Sequence, residues 1–248
     1  MQANLGTDEP KGNRMLTQFA SLSASRAMPQ PYTPASRSRP VAAPHGQPVL
    51  GSLLALRREQ SVFGAGEDAD YLYRVKSGCV RLTNQMQDGR RQIVEFHMPE
   101  DMFGTESMGR HALSAEAVSD AVLLRYRRQS LEQQAAVDPV AARRLYDVAC
   151  LGLRAAHRRM LVLGRKAAME RVASFLIDMS VRIGRDEPTQ FDLPMSRQDI
   201  GDYLGLTIET VSRAMSQLRR EGLIELPTPH HVVLRDIAAL TARSGDEG

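Results

Sequence analysis

Residues 195–224 constrain the fold more than any other stretch of the chain, because they predict two short helices joined by a tight turn. Ser196 can cap the first helix, and Asp199 completes a capping box three residues later. Gly205 stands where that helix needs a left-handed residue to end, and Thr207 can cap the second helix. Apolar residues repeat at helical spacing in both helices, namely Ile200, Leu204, Val211, Ala214 or Met215, and Leu218. Helix, glycine turn and helix form the unit that lays its second helix in the DNA major groove.

Three polar residues share one side of the second predicted helix, near its start. Glu209, Ser212 and Arg213 are spaced i, i+3 and i+4, at the end where a recognition helix meets base edges. Arginine can fork onto guanine, glutamate can accept from the cytosine amino group, and serine can contact either kind of base. The alternative is a solvated ion pair on an ordinary helix. The caps, the glycine turn and the apolar spacing together favour base reading.

Residues 199–224, DIGDYLGLTIETVSRAMSQLRREGLI, resemble the DNA-binding segment of the CRP/FNR regulators, and of their FixK branch in particular. The resemblance implies a winged helix-turn-helix over residues 166–240, with a wing at 225–234. It implies that Glu209, Ser212 and Arg213 read a palindrome like TTGAT…ATCAA. Five further residues are predicted to contact phosphate or to position the protein: Ser196, Arg197, Thr207, Ile208 and Thr210. The resemblance extends more weakly back to about Gly51.

Composition sets the class of protein. The 248 residues are 42% hydrophobic, with a mean hydropathy of −0.32, as in soluble globular proteins. No apolar run approaches the roughly 20 residues that span a bilayer, and no secretion signal opens the chain. We therefore expect a cytoplasmic protein without a membrane partner. Signatures of hydrolases, metalloproteases, phosphate loops and dinucleotide sites are absent from the sequence, so we expect no enzyme and no catalytic residue.

Charge favours a polyanionic partner only mildly, with a net charge of +3 and a pI of about 9.1. Between residues 196 and 225 acidic residues slightly outnumber basic ones. The basic clusters lie elsewhere, at Arg125, Arg127, Arg128, Arg154, Arg158, Arg159, Arg165, Lys166 and Arg171. Charge alone therefore does not predict a DNA-binding protein.

The two cysteines, Cys79 and Cys150, are far apart and form no C-x-x-C pair. This spacing argues against a disulfide scaffold, a structural zinc site and a four-cysteine iron–sulfur cluster. Haem is a weaker alternative, because Cys79, His97 and His111 are each able to ligate iron. We expect no cofactor and no metal.

The first residues of the chain differ from the rest in composition. Residues 1–48 hold seven of the thirteen prolines and show no apolar periodicity, so we expect a disordered leader. From 49 to 130 a short leading helix at 49–54 is predicted, followed by brief strand-like runs separated by turn residues. The runs are 71–75, 79–82, 92–96 and 121–124. Strands at such spacing predict a jelly roll, and the family resemblance implies the β-roll that holds cyclic nucleotide in its best-known members.

The predicted effector pocket departs from the family pattern. Ser114 and Ala115 match the family, but Leu113 occupies the position of the arginine that would neutralise the cyclic phosphate. Glu106 sits one place later than the family's carboxylate, and nothing puts the nearby Arg110 in the missing geometry. We therefore expect that cAMP and cGMP do not bind tightly. An effector-gated regulator, with cyclic nucleotide or haem in the roll, remains the alternative.

Residues 131–165 predict a dimerisation helix. Apolar residues alternate at spacings of four and three, as in a two-helix seam: Ala142, Tyr146, Ala149, Leu153, Ala156, Met160 and Leu163. The alternative is one amphipathic helix packed on its own domain. Gly164 marks a predicted hinge, and a helix is predicted after it at 168–183. A loop is then predicted at 185–188 and a short strand at 191–194. The chain is predicted to end with a last helical turn and a tail at 241–248.

The predicted fold class is therefore α+β: a β-roll, a long dimerisation helix and a C-terminal winged helix-turn-helix. The resemblance implies a homodimeric transcription activator that works without a small molecule and contacts RNA polymerase. Its family members control genes of low-oxygen respiration and nitrogen fixation.

Overall fold

The computed structural model describes residues 49–86, 89–105, 109–184 and 189–245, which belong to one structural unit. The predicted leader at 1–48 and the predicted loop at 185–188 lie outside the described residues. Among the residues that the structure describes, no helix has the length and apolar character needed to cross a membrane.

Alternating apolar residues build the first half of the described chain into two antiparallel sheets. The strands are β1 Ser52–Leu56, β2 Ser61–Phe63, β3 Tyr71–Ser77, β4 Val80–Gln85, β5 Arg91–His97, β6 Met102–Phe103, β7 Ser114–Ala117 and β8 Ala121–Arg127. One sheet has the order β1-β8-β3-β6 and the other β2-β7-β4-β5. Successive side chains of a strand point to opposite faces, so one face of each sheet supplies a shared core. That core includes Phe63, Val75, Leu82, Phe103 and Leu123.

The predicted leading helix at 49–54 is wrong. Residues 49–51 have no regular structure, and residues 52–54 instead begin β1, which pairs with β8 from Ser52 opposite Arg125 to Leu56 opposite Ala121. A short apolar run fits helix and strand equally well, and the open edge of β8 decides the outcome. Side chains of β1 then point alternately to solvent and to the core, since Leu53 is 68% exposed whereas Leu56 is buried. The four predicted strands fall on β3, β4, β5 and β8, each of which is longer than predicted.

The predicted helical region 131–165 is broken near its start. Helix α1 spans Arg128–Val137 and helix α2 spans Pro139–Arg165. Asp138 between them has φ −119° and ψ 105°, and its carboxylate accepts a 2.9 Å bond from the N–H of Val140. Proline suits the first position of a helix, because its missing N–H would have no partner there. An Asp-Pro start therefore interrupts the helix, and the predicted seam lies wholly in α2.

The predicted hinge at Gly164 is displaced. Gly164 lies within α2, and the chain turns at Lys166, whose φ of −92° and ψ of 141° are extended. Arg171 holds this turn by donating to the carbonyl oxygens of Lys166 and Leu163, each at 2.9 Å. A third bond, 3.0 Å long, runs to the carbonyl of Leu204. The capping arginine, rather than glycine flexibility, sets the turn.

The C-terminal part is a winged helix-turn-helix. Its elements are α3 Ala168–Ile183, β9 Gln190–Asp192, α4 Arg197–Leu204, α5 Ile208–Arg220, β10 Ile224–Glu225, β11 His231–Leu234 and α6 Ile237–Arg243. The three strands form an antiparallel sheet in the order β10-β11-β9. Helix α6 extends past residue 240 into the predicted tail, because Leu240 is fully buried and anchors it. The core of this part continues into the roll through Cys79, Ile93, Phe96, Met98 and Val118.

Candidate DNA-reading surface

The turn between α4 and α5 is built from local hydrogen bonds. Ser196 Oγ accepts from the N–H of Asp199 at 3.1 Å, and the Asp199 carboxylate accepts from the N–H of Ser196 at 3.1 Å. Gly205 ends α4 with φ 64°, a left-handed conformation that favours glycine. Thr207 Oγ1 then accepts from the N–H of Thr210 at 3.3 Å and starts α5. These bonds fix the direction in which α5 leaves the turn.

Burial orients the recognition face of α5. Val211, Ala214, Met215 and Leu218 are at most 5% exposed and pack into the core. Their spacing turns the opposite side of the helix outward, and the three predicted readers all lie there, exposed: Glu209, Ser212 and Arg213. The exposed polar side continues beyond the predicted set. A shallow depression along it is lined by Ser212, Arg213, Ser216, Gln217, Arg219 and Arg220.

Glu209 is held as a carboxylate. The free N–H at the helix start lowers its pKa, and the Thr207 hydroxyl and the charge of Arg213 act in the same direction. Arg213 donates to Thr210 Oγ1 over 3.4 Å and is otherwise directed to solvent. The face therefore presents an anionic acceptor, a hydroxyl and a guanidinium side by side, which is a set able to distinguish base edges.

The five predicted phosphate or positioning residues divide into two groups. Thr207, Ile208 and Thr210 lie at the start of α5 beside the readers, with Ile208 38% exposed. Ser196 caps α4, and Arg197 donates from Nη2 to the carbonyl of Pro229 at 3.0 Å. Arg197 is half-buried there, and burial lowers its pKa. The second group thus joins α4 to the wing.

The wing loop is organised by its own side chains. Thr228 Oγ1 accepts from the N–H of His231 at 2.9 Å. His231 Nδ1 lies 2.8 Å from Asp192 Oδ1, and His230 Nδ1 lies 3.0 Å from the carbonyl of Leu193. Both imidazoles are therefore engaged with the segment around β9.

Among the described residues of the roll, no arginine stands where the family resemblance implies that a cyclic phosphate would bind. Leu113 packs against the apolar core at the arginine position. The Ser114 hydroxyl accepts from the N–H of Ala65 at 3.0 Å. Arg110 has a side chain 75% exposed and lies 3.5 Å from Asp68, so it does not replace the missing arginine. Glu106 lies outside the described residues.

Aromatic rings occupy the interior of the roll. Phe63 stacks on His111 with ring centroids 3.5 Å apart, and it lies 5.5 Å from the ring of Tyr73. Tyr73 in turn stacks on Phe103 at 5.1 Å. Stacked rings at these distances fill the interior with side chains.

The three candidate haem ligands are used for packing. Cys79 is 1% exposed, and burial raises its pKa to about 12, which disfavours the thiolate that binds iron. His97 stacks on Phe103 and His111 stacks on Phe63. Within the described ranges, no three His, Cys, Asp or Glu side chains are grouped so that they could hold a metal ion.

The predicted seam lies on an uncovered helix. Although α2 has 27 residues, none of them is buried in the single chain. Tyr146, Leu153 and Met160, spaced by seven, are 61%, 58% and 69% exposed. Ala149 and Ala156 are also exposed, while Ala142 and Leu163 are half-buried. This side of α2 is an apolar stripe that the described residues of the chain leave largely exposed.

A jelly roll followed by an uncovered helix and a winged helix-turn-helix with a polar, outward recognition face defines a DNA-binding transcription regulator. Comparison with known proteins agrees. Residues 53–138 match the cyclic nucleotide-binding domain family, and residues 170–243 match the Crp-like helix-turn-helix domain family.

Individual relatives show more closely which family of regulators the chain belongs to. The nitrogen fixation regulation protein FixK of Azorhizobium caulinodans is 45% identical over 77% of this chain and 78% of its own. The transcriptional activator protein FnrL of Cereibacter sphaeroides is 37% identical over 76% of this chain and 78% of its own. The structure of FixK2 from Bradyrhizobium japonicum superposes with a TM-score of 0.77 and 43% identity, covering 80% of this chain and all of that one. The chain belongs to the CRP/FNR family of transcription regulators and is FixK-like, and the predicted fold class is confirmed.

Proposed function

We propose that this chain is a transcription activator that binds a TTGAT…ATCAA-like palindrome as a homodimer. Glu209, Ser212 and Arg213 are the proposed base readers. The observation that carries the proposal is their shared exposure at the start of a helix whose opposite side is buried. That is the end of a recognition helix that meets base edges in the major groove.

The proposed dimer contact is the apolar stripe of α2. Tyr146, Leu153 and Met160 lose exposed apolar area when a second α2 packs alongside, and burial of such area is favourable by about 25 cal/mol per Å². Alanines between them allow close approach of the helices. A two-fold pair would present two α5 helices to successive major grooves of a palindrome.

The proposed activator works without a small-molecule effector. Leu113 removes the phosphate-binding charge, and stacked aromatic rings fill the interior of the roll. The alternative is a regulator gated by a ligand in the roll, and the match to the cyclic nucleotide-binding family is the reason to test it.

The proposed targets are genes of low-oxygen respiration and nitrogen fixation, and the FixK relative is named as a regulator of nitrogen fixation. Activation requires contact with RNA polymerase beside the operator. A protein with these partners works in the cytoplasm.

Fluorescence anisotropy on purified protein tests the proposal. The probes are a labelled symmetric TTGAT…ATCAA duplex and a duplex of the same composition in scrambled order, in air, with and without cAMP. We expect tighter binding to the palindrome by a factor of about 10³ or more, and no change on adding cAMP. Equal affinity for both duplexes would refute sequence reading, and tightening by cAMP would favour the effector-gated alternative.

A further inference from the structure

Two acidic residues of helix α4 have partners in the roll. Asp199 of α4 accepts from Arg81 Nη1 at 3.1 Å and from Arg91 Nη2 at 2.7 Å. Asp202, one turn later, accepts from Arg91 Nε and Nη2 at 3.0 and 2.8 Å. Two of the acidic residues between 196 and 225 are therefore paired with arginines of the roll. They join α4 to strands β4 and β5.

Arg81 is the most buried member of this group. Its side chain is 3% exposed, and it also donates to Glu116 Oε2 at 2.8 Å and to Glu59 Oε2 at 2.6 Å. A guanidinium held in a planar fork among carboxylates has a fixed direction. The pair formed with Asp199, whose side chain is 6% exposed, therefore sets the orientation of α4 on the roll.

Arg159 brings the dimerisation helix into the same junction. From α2 it donates through Nη2 to the carbonyl of Tyr203 at 2.7 Å and to the carbonyl of Ile93. Its guanidinium lies 3.7 Å from the centre of the Tyr203 ring. That ring packs against Phe96 of β5 and Phe175 of α3 at centroid distances of 5.0 and 5.8 Å. The side chain of Arg159 thus links α2 to β5 and to the end of α4.

We propose that Arg81, Arg91 and Arg159, here called the arginine clamp, are positioning residues for DNA recognition. The clamp fixes α4, and through the turn at Gly205 it fixes α5, relative to α2. In a dimer paired along α2, the separation of the two recognition helices is then set by the protein itself rather than by a ligand. This inference rests on the proposed function.

The geometry distinguishes positioning from simple stabilisation. A buried ion pair adds little net stability compared with apolar packing, because desolvation offsets the attraction, whereas removing one partner alone is destabilising because the other charge stays buried. Continuous apolar packing between the roll and the helix-turn-helix already supplies adhesion. Adhesion by apolar contact is not directional, whereas hydrogen bonds from a guanidinium to two backbone carbonyls are directional.

The test uses the full chain and duplexes that differ in geometry. Arg159→Lys keeps the charge but loses the fork, and Arg81→Gln removes the buried charge. Arg154→Lys, at an exposed position on the same helix, is the matched control for the first variant. Arg74→Gln, whose ion pair with Glu100 stays within the roll, is the control for the second. Each protein is titrated with one half-site, with two half-sites at operator spacing, and with spacers changed by one base pair.

We expect the clamp variants to bind the single half-site within twofold of the unaltered chain, because α5 is intact. Affinity for two half-sites should fall about tenfold or more, since linked binding gains about 10²–10⁴ only when both sites engage together. Discrimination between spacers should weaken, and amide hydrogen exchange in α4 should quicken without DNA. The control variants should match the unaltered chain in all four measurements.

Parallel loss on half-site and full site, at equal spacer discrimination, would assign the arginines to stability alone and overturn the positioning role. Unchanged binding and exchange in both clamp variants would overturn it as well. Failure of the unaltered chain to prefer the palindrome would refute the proposed function, and the positioning role with it. The two failures are therefore distinguishable.

Discussion

Replacing Arg213 with alanine should weaken base reading at one position of each half-site while leaving the fold intact. The side chain is exposed, and the described contact it makes within the chain is a 3.4 Å hydrogen bond to Thr210 Oγ1. Exposed substitutions of this kind change the free energy of unfolding by about 0.5 kcal/mol or less. A change in DNA binding therefore reports on the lost contact itself.

The expected magnitude follows from the symmetry of the proposed complex. One arginine–guanine contact discriminates by about 1–3 kcal/mol, and a two-fold dimer makes that contact twice. The full palindrome should therefore lose about 2–6 kcal/mol, which is at least a 30-fold rise in Kd. A duplex with one half-site should lose only half of this free energy.

The assay compares Arg213→Ala with Arg219→Ala on the palindrome and on scrambled DNA. Arg219 is exposed on the same helix, so its replacement removes the same charge farther from the N-terminal reading end. We expect Arg219→Ala to weaken binding about equally on both duplexes, as loss of a phosphate contact does. Arg213→Ala should lose affinity mainly on the palindrome and should relax the preference at one G·C pair per half-site.

Equal losses of Arg213→Ala on palindromic and scrambled DNA would refute the base-reading role. So would a fall in the thermal midpoint large enough to explain the loss, because the side chain would then support the fold.

Three further predictions concern other parts of the molecule. Leu153→Glu places a charge in the centre of the proposed seam, so sedimentation should show a monomer with weak half-site binding; a variant that stays dimeric counts against the seam. Gly201→Ala would put a Cβ 2.7 Å from the carbonyl oxygen of Leu206, so denaturant unfolding should show a loss of about 1–3 kcal/mol, and an unchanged midpoint would disprove this crowding. Burial lowers the pKa of His97 to about 4, below the value near 6.5 of an unfolded histidine, so the unfolded chain takes up the proton first. The contribution of neutral His97 to the free energy of unfolding should therefore be fully present above about pH 6.5 and should decline as the pH falls toward 4. His97→Gln should flatten this decline of the unfolding free energy with pH. The same pH dependence in both proteins would contradict the prediction.

The helix-turn-helix was predictable because its signals are local. Ser196, Gly205 and Thr207 act on the backbone within a few residues of themselves, and the structure shows each of them in the predicted role. The orientation of the readers then follows from the buried stripe at helical spacing. Sequence alone therefore predicts which side of α5 faces outward.

The errors in the roll and in the helical region have different causes. The apolar run at 49–54 carries no periodicity that distinguishes a helix from a strand, and the strand forms because residues 52–56 pair with the distant strand β8. The break at Asp138 was marked by the Asp-Pro pair, but the regular seam that follows obscured this local signal. Pairing with a strand about 70 residues away leaves no local mark in the sequence, whereas the Asp138-Pro139 pair is itself a local signal for a helix start.

The arginines show what sequence patterns do not reveal. Arg159 and Arg171 stand in basic clusters that suggest a solvent-facing charge, yet both donate to backbone carbonyls inside the chain. Arg81 and Arg91 lie more than 100 residues from Asp199 in the sequence, and only the folded chain brings them into hydrogen-bond contact with it. Asp199 and Asp202, two of the acidic residues of the helix-turn-helix, are the partners of these arginines.

The most direct test of the central claim is selection of bound sequences from random duplexes by the purified chain, in air and without ligand. The proposed function predicts enrichment of a symmetric TTGAT-like motif with half-site centres about 10–10.5 base pairs apart. Enrichment of a single unpaired half-site, or of no sequence at all, would contradict it.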